Sequence, residues 1–397
     1  MIAMDLNNEL HLRDAEWMAS DAARPALRKA ATRSPVFWYE NEGDGFWVVL
    51  QHADIVEISW RAVEFSTSRG ILLDDQPGST KGVLLWTDRP DHRRLRRYVH
   101  DFFSPRASTR LAPWIRERCI ELVGRARGRD KVDMIGEVAA DLPLMTISKM
   151  MGVPEAEQPR FLHLANRIFD EAGNSPEAYQ ESMEDLAAFG LELAKAEHSA
   201  ELFDAMRSVE DNGEPLCDEE FGAMFMQIAG AAVETTRTVI GSILERFAAE
   251  PHLIDAIRGN EGAARSAVEE FLRYYPPLLS MRRTATCDVE FRGMNIRSGD
   301  KVLMYYASGN FDESVFTEPF AFDIYRKPNP HLTFGTGEHI CLGLVLARTE
   351  LIQFVLEFCE QAAAIEMLEA PVVRLAPEGG AYKKLMARVT YRQVETV

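Results

Sequence analysis

Residues 224–247 read "MFMQIAGAAVETTRTVIGSILERF" and belong to a helical pattern running from about Asp218 to Pro251. At 1.5 Å per residue such a helix is roughly 45 Å long. It is apolar on nearly every side, so it cannot lie on a surface and other helices must surround it. That demand selects a large, mainly helical fold. Helical periodicity dominates the chain from about residue 105 to 275 and again after 341. Strand-like pieces are short: "FWVVLQ" (46–51), "RRTATCDVEF" (282–291), "KVLMYYA" (301–307) and "LMARVTYR" (385–392). No internal repeat, low-complexity tract or Gly/Ser/Pro-rich linker interrupts the 397 residues. The expectation is one domain over residues 1–397, mainly α with a minor β region, its first twenty or so residues loosely ordered.

Composition narrows what such a fold does. A net charge of −18 argues against generic nucleic-acid binding, because phosphate is repelled overall. No apolar run approaches the ~20 residues that cross a bilayer. The opening "MIAMDLNNELHLRDAEWMAS" carries acids and lacks a basic n-region with an apolar h-region, so it is no secretory signal. A cytoplasmic protein without a membrane anchor is expected. Cys119, Cys217, Cys287, Cys341 and Cys359 are odd in number and scattered, with no C-x-x-C or Cys/His zinc spacing. A disulfide framework and a zinc site are both disfavoured.

The middle of the long helix holds Ala229, Gly230, Ala231 and Ala232, then Glu234, Thr235 and Thr236. Ala231 and Thr235 stand at i,i+4, so a small residue and a hydroxyl look at the same spot. Small residues ordinarily mean close helix packing, and such a threonine ordinarily bonds the preceding turn. A carboxylate in so apolar a helix still needs a partner or a task, since unpaired buried charge is costly.

The stretch "HLTFGTGEHICLGLVLARTE" (331–350) sets a lone cysteine after a short glycine loop. Gly335 and Gly337 permit positive φ and close backbone approach, as a tight loop around a ligand atom requires. Cys341 is read as opening a helix, with Leu344, Val345, Leu351, Ile352, Val355 and Phe358 as its apolar side. Thr349, Gln353, Glu357 and Glu360 form its polar stripe. A sulfur at a helix N-terminus has its thiolate favoured by the macrodipole and open N–H groups. Gly343 removes bulk just past the sulfur and leaves room for something flat. An isolated cysteine is most often a quiet core residue. A cysteine hydrolase is disfavoured because nothing nearby resembles a nucleophile elbow, whereas space for a flat ligand favours a thiolate-ligated haem.

Two further segments carry patterned charge. "TDRPDHRRLRRYVH" (87–100) begins with a capping-type Thr/Asp, has Pro90 near its first helical turn, and sets His92 and Arg96 at i,i+4. A solvated basic face is the ordinary reading, although seven Arg against three Asp between 88 and 110 reverse the balance of an acidic chain. "VEEFLRYYPP" (268–277) sets Glu270 and Arg273 at i,i+3 before two helix-ending prolines. On a surface that pair contributes only ~0.2–0.5 kcal/mol. Between 308 and 340 lies an Asn-, Asp-, Pro- and Gly-rich stretch of little periodicity, of the kind that is usually functional.

"FGTGEHICLG" (334–343) resembles the F-x-x-G-x-x-x-C-x-G haem-binding pattern of the cytochrome P450 family, the haem-thiolate monooxygenases. The resemblance extends over residues 85 to 345, in the expected order. It implies the P450 fold, a helix-rich triangular prism, with haem b held by Cys341 as axial iron ligand and metal site. Phe334 would pack beside the haem, and Gly343 would clear space for the ring. The segment around Glu234 and Thr235 resembles the family's A/G-G-x-D/E-T-T oxygen groove, making these two the catalytic acid–alcohol pair and Ala231 a neighbour of the haem. Ala232 departs from that pattern, which usually has Gly there. His92, Arg96, Arg282 and His339 fall where the family places propionate ligands, with Arg283 the competing choice at the third position. Glu270 and Arg273 match E-x-x-R, whose structural triad is completed by Arg326.

The implied activity is insertion of one oxygen atom from O2 into a hydrophobic small molecule, electrons coming from a ferredoxin and a ferredoxin reductase. A monomer of the soluble bacterial class is expected. Arg93, Arg94 and Arg97 form a face suited to an acidic ferredoxin. Substrate-lining segments correspond to about Ile71–Leu85, Leu278–Met281 and Gly379–Tyr382. "GNFDESVFTEPFAFDIYRKPNPH" (309–331) looks most like members that oxidise steroids and branched lipids. A terpenoid is a further substrate of this kind. Oxidative C–C or C–N coupling of an aromatic natural product, a peroxide-driven peroxygenase and a non-catalytic haem sensor stay open; the last two have no use for Glu234 and Thr235.

Overall fold

The structure, a computed structural model, describes residues 2–40, 43–74, 81–171, 175–195, 201–207 and 215–393. The chain divides into two units, one of Met1–Gln76, Glu269–Cys341 and Val373–Ala381, the other of Pro77–Val268, Leu342–Val372 and Tyr382–Val397. Part of the segment 71–85 expected to line the substrate site, residues 75–80, lies outside the described residues.

The first unit is built on a five-stranded sheet ordered Val36–Tyr39, Phe46–Val49, Lys301–Met304, Met281–Ala285, Phe65–Ser66. Phe46–Val49 and Lys301–Met304 run parallel, and their neighbours antiparallel. All four residues of Phe46–Val49 are buried, so that strand reads as an apolar run rather than an alternation. Phe37, Tyr39, Phe46, Val48 and Leu303 meet the N-terminal helices on one face; Val36, Trp47, Val49, Val302 and Met304 meet Ile55, Ile58 and Phe65 on the other. The N-terminal residues depart from the loose order expected of them. Ile2–Glu9 and Ala15–Ala19 are helical, Asp14 caps the second through Glu16 N and Trp17 N, and Leu6, Leu10, Leu12 and Met18 are buried in the sheet's core.

Two strand expectations are shortened. The run 282–291 divides into Met281–Ala285 and Val289–Phe291, because the Asp288 carboxylate accepts from Ser298 N and turns the chain. The run 301–307 stops at Met304, where Tyr306–Gly309 makes one helical turn.

In the second unit the long helix is Asp218–Ala249, 32 residues, opened by a capping box between Cys217 and Glu220. It packs on helices Asp141–Met151, Gln158–Glu171 and Pro176–Lys195, which bury it as its sequence demands. A small sheet ordered Val132–Asp133, Met386–Tyr391, Ala362–Met367 adjoins. "AAAIEM" (362–367) is extended although alanine favours helix, since pairing with Met386–Tyr391 overrides a propensity of under ~1 kcal/mol per residue.

The C-terminal helix begins at Leu344 and ends at Gln361. Leu351, Ile352, Val355 and Phe358 are buried as read, but so are Glu350 and Glu357, the latter from the expected polar stripe. Glu357 is accommodated by Arg116 Nε at 2.7 Å. Glu350 has no such cation: burial pushes its carboxyl up to about 8. The Thr146 hydroxyl, which also donates to Leu142 O at 2.8 Å, opposes that rise without cancelling it.

The sign of the pH effect follows. Above pH ~4.5 the unfolded chain ionises Glu350 while the folded one keeps its proton, so stability from this group falls until pH reaches about 8. The slope is about 1.4 kcal/mol per pH unit. Glu350→Gln should therefore unfold at higher denaturant than the parent, by a margin that widens from pH 5 to 8 and then levels. A margin independent of pH would contradict it.

Candidate active site

Each unit carries part of the residue set singled out above. In the first, the loop before Cys341 is closed by Cys341 N–H donating to Phe334 O at 2.9 Å. Gly335 and Gly337 have φ of +65° and +74°, the left-handed region read for them. A Cβ on Gly337 would stand 2.4 Å from Ser59 O, so no other residue fits there without moving backbone. Gly337–His339 make a short 3-10 turn, and the following helix starts only at Leu344, with Gly343 at its cap. Cys341 thus sits just ahead of the helix instead of opening it. Its thiol is half-buried, whereas burial pushes the thiols of Cys119 and Cys359 upward. Phe334 contacts the His331 ring at 5.9 Å between centroids. His339 Nε2 lies 3.4 Å from Thr67 Oγ1.

Behind this loop Glu270, Arg273 and Arg326 meet, all at most 9% exposed. Arg273 grips the Glu270 carboxylate with two bonds of 2.7 and 2.8 Å, and Arg326 Nε approaches it at 3.1 Å. Asp323 N and Asn329 Nδ2 donate to the same carboxylate. Two guanidiniums on one carboxylate leave an excess positive charge. Carbonyls of Asn310, Pro319, Ala321, Thr317 and Glu318, all from the aperiodic segment, point inward to disperse it.

Asn310, fully buried, was not legible as a key residue. Its Nδ2 donates to Arg273 O and Thr333 Oγ1, and its Oδ1 accepts from Leu332 N at 2.7 Å. The only signal was its place in an Asn/Asp-rich stretch without periodicity.

Arg282 is fully buried, and its two terminal nitrogens go to backbone: Nη1 to Leu73 O at 2.9 Å and Nη2 to Arg69 O. Arg283 alternates to the other face of the strand, the face of Met281 and Ala285, which packs with Tyr306. The Tyr306 hydroxyl in turn lies 3.6 Å from where a Cβ on Gly335 would stand.

The second unit carries His92, Arg96, Ala231, Glu234, Thr235 and Gly343. His92 and Arg96 share a face of helix Asp91–Val99, His92 buried and Arg96 half-buried. The helix has Pro90 at its cap position and no side-chain cap, against the Thr/Asp expectation. Of the basic face, Arg93 and Arg97 are exposed, while Arg94 is bound to Glu220 at 2.5 Å and to Asp91 at 3.4 Å.

On the long helix, Thr235 Oγ donates to Ala231 O at 2.9 Å, and the buried Glu234 pairs with Arg237 one turn on. Arg237 also donates to Asn166 Oδ1 at 3.1 Å on the helix Gln158–Glu171. Adjacent positions on a helix diverge by about 100°, so acid and alcohol face different surroundings. Among its buried neighbours, this helix opens at Ala231, which is exposed, and at Ala232 and Thr235, which are half-buried.

A family model described as cytochrome P450 matches residues 263–360. The chain is also 35% identical, over 353 residues, to the methyl-branched lipid omega-hydroxylase of Mycobacterium bovis, covering 83% of this chain and 82% of that one. The chain belongs to the cytochrome P450 family. It is 32% identical over 346 residues to the steroid C26-monooxygenase of Mycolicibacterium smegmatis, covering 81% and 79% of the two chains. A Mycobacterium marinum cytochrome P450 solved with pseudoionone superposes with a TM-score of 0.85 at 30% identity, over 95% of this chain and 97% of that one. This P450 is a monooxygenase, and its family implies a haem iron and O2. No described helix is long and apolar enough to cross a membrane.

The residues fit a haem. A half-buried thiol stands at the end of a loop shaped by two left-handed glycines. A Cβ on Gly343 would meet nothing within 4 Å, leaving the open space a ring requires. Residues 333–345 are half-buried throughout, and Ala231 is exposed in the middle of the long helix. Basic side chains that suit carboxylates are present at His92, Arg96, Arg283 and His339.

Proposed function

We propose that this P450 holds haem b through Cys341 and inserts one atom of O2 into an apolar substrate of the steroid or methyl-branched lipid kind. The observation that carries the substrate class is the paired similarity to a methyl-branched lipid omega-hydroxylase and a steroid C26-monooxygenase. Most of the described part of the lining segments agrees in character: Ile71, Leu72, Leu73, Leu278, Leu279 and Met281 are apolar, whereas Asp74, Lys81 and Ser280 are not. Both units serve one catalytic domain, the protein acts as a cytoplasmic monomer, and electrons come from a ferredoxin and its reductase.

When bound, a thiolate-ligated haem activates O2, the sulfur pushing electron density that favours O–O cleavage. The chain's residues bind it, orient it and move protons. His92, Arg96 and His339 bond its carboxylates. Of the two choices for the third position, Arg283 lies on the Tyr306 face with its Nη1 on Arg282 O at 2.9 Å, while Arg282 gives both terminal nitrogens to Leu73 O and Arg69 O, and Arg283 is the one assigned to the carboxylates. Thr235 holds its proton on Ala231 O and can release it toward the uncovered groove. Glu234, released from its pairing with Arg237 and protonated from solvent, would hand that proton on to Thr235; Arg237 also reaches Asn166.

Spectral screening of steroids and methyl-branched fatty acids for a low-to-high-spin shift tests the substrate class, followed by turnover with ferredoxin and reductase. Absence of any shift in both series, or product from peroxide alone, would refute the proposal. Thr235→Ala should lower product formed per reductant several-fold while peroxide rises; unchanged coupling would remove Thr235 from the relay. Reversing Arg93 and Arg97 to Glu should slow reduction by ferredoxin and flatten its salt dependence, and insensitivity to both would place the dock elsewhere.

A further inference from the structure

The segment Arg69–Leu73 is gripped from two sides inside the first unit. Three alternate carbonyls fall to one residue: Arg282 donates its backbone N–H to Ile71 O at 2.7 Å, its Nη1 to Leu73 O at 2.9 Å and its Nη2 to Arg69 O. From the other side, Leu73 N–H donates to Glu378 Oε1 at 3.1 Å. Glu378 O also accepts from Leu279 N at 2.6 Å, next to the bridge between Leu278 and Gly379. Arg282 is fully buried, a costly place for a guanidinium unless its donors are used. Ile71 and Leu73 are buried while Leu72 between them stays half-buried.

We propose that Arg282 and Glu378 form a clamp that holds the Ile71–Leu73 backbone, and with it the half-buried Leu72, against the substrate and so sets which substrate shapes are accepted. The clamp joins the three segments that the P450 reading assigns to substrate, and it rests on that reading. Both are positioning residues, acting through the backbone of Ile71–Leu73 and Leu279. Nothing in the sequence around Glu378 marks it, and the family resemblance points Arg282 at the haem carboxylates instead.

Nitrogen ligands of graded size test this in the haem-loaded protein: imidazole, 4-phenylimidazole and 1-dodecylimidazole, titrated by absorbance. Glu378→Ala removes the acceptor for Leu73 N–H without burying a new charge. The expected result is an imidazole Kd within about twofold of the parent, and a change of about tenfold for the two bulky ligands, the scale on which apolar pockets discriminate. A uniform shift across all three ligands, or none, overturns the clamp. Arg282→Lys keeps the charge but not the two-armed grip and should reproduce the pattern with full haem content. Loss of haem in that variant overturns the assignment in favour of direct contact with the haem carboxylates. Failure of the unsubstituted protein to bind even imidazole overturns the underlying haem reading, and is told apart because it precedes any substitution.

Discussion

Cys341→Ser should abolish the red-shifted band of the reduced carbon monoxide complex and leave no detectable monooxygenase turnover. The reason is acidity. A thiol titrates near ~8.5 in a neutral setting and falls further beside a cation or metal, whereas a serine hydroxyl offers no comparable anion at neutral pH. The change removes little packing, because Cys341 is half-buried and Ser is nearly isosteric, so apoprotein stability should shift by under ~1 kcal/mol. That contrast separates a ligand from a structural cysteine. Retention of the band would end the assignment, and a collapse of apoprotein stability would point to a packing role instead.

The second large effect is thermodynamic. Glu270→Gln keeps the shape of the side chain but leaves Arg273 and Arg326 facing each other without a counter-charge in a buried site. Breaking such a network by removing one partner costs about 3–5 kcal/mol, far above the surface value the i,i+3 spacing alone suggests. Urea unfolding followed by tryptophan fluorescence should report a loss of that size. Arg326→Met should cost less, since it leaves Glu270 bonded to Arg273, Asp323 N and Asn329. A loss below ~1 kcal/mol in the glutamine variant would show that the carbonyls alone hold the guanidiniums.

Some of this was legible because local pattern and global fold agree. The all-round apolar helix is buried where its sequence requires, and the two loop glycines have the positive φ their spacing implied. The E-x-x-R pair was visible, but its buried setting was not, since i,i+3 spacing looks the same on a surface. Other placements are set by tertiary partners that local rules do not show. Arg282 and Arg283 are identical in sequence terms, and only strand alternation sends one to the carbonyls of Arg69 and Leu73 and the other toward Tyr306. Glu357 looked like a solvent stripe until Arg116 from a helix more than two hundred residues earlier covered it. Glu234 is paired with Arg237, which also reaches Asn166, a partner that the acid–alcohol spacing does not show.

The inward-turned carbonyls behind the cysteine loop tie the shape of that loop to residues far from it in the chain. Leu332 N hangs from Asn310, Thr333 Oγ from Leu272 O, and Asn310 itself from Arg273 O. The stretch before Cys341 is thus anchored on the helix Glu261–Tyr274 and on the aperiodic chain whose carbonyls meet its two guanidiniums. A substitution at Asn310, Thr333 or Arg273 therefore acts on the cysteine loop from a distance, without touching the sulfur.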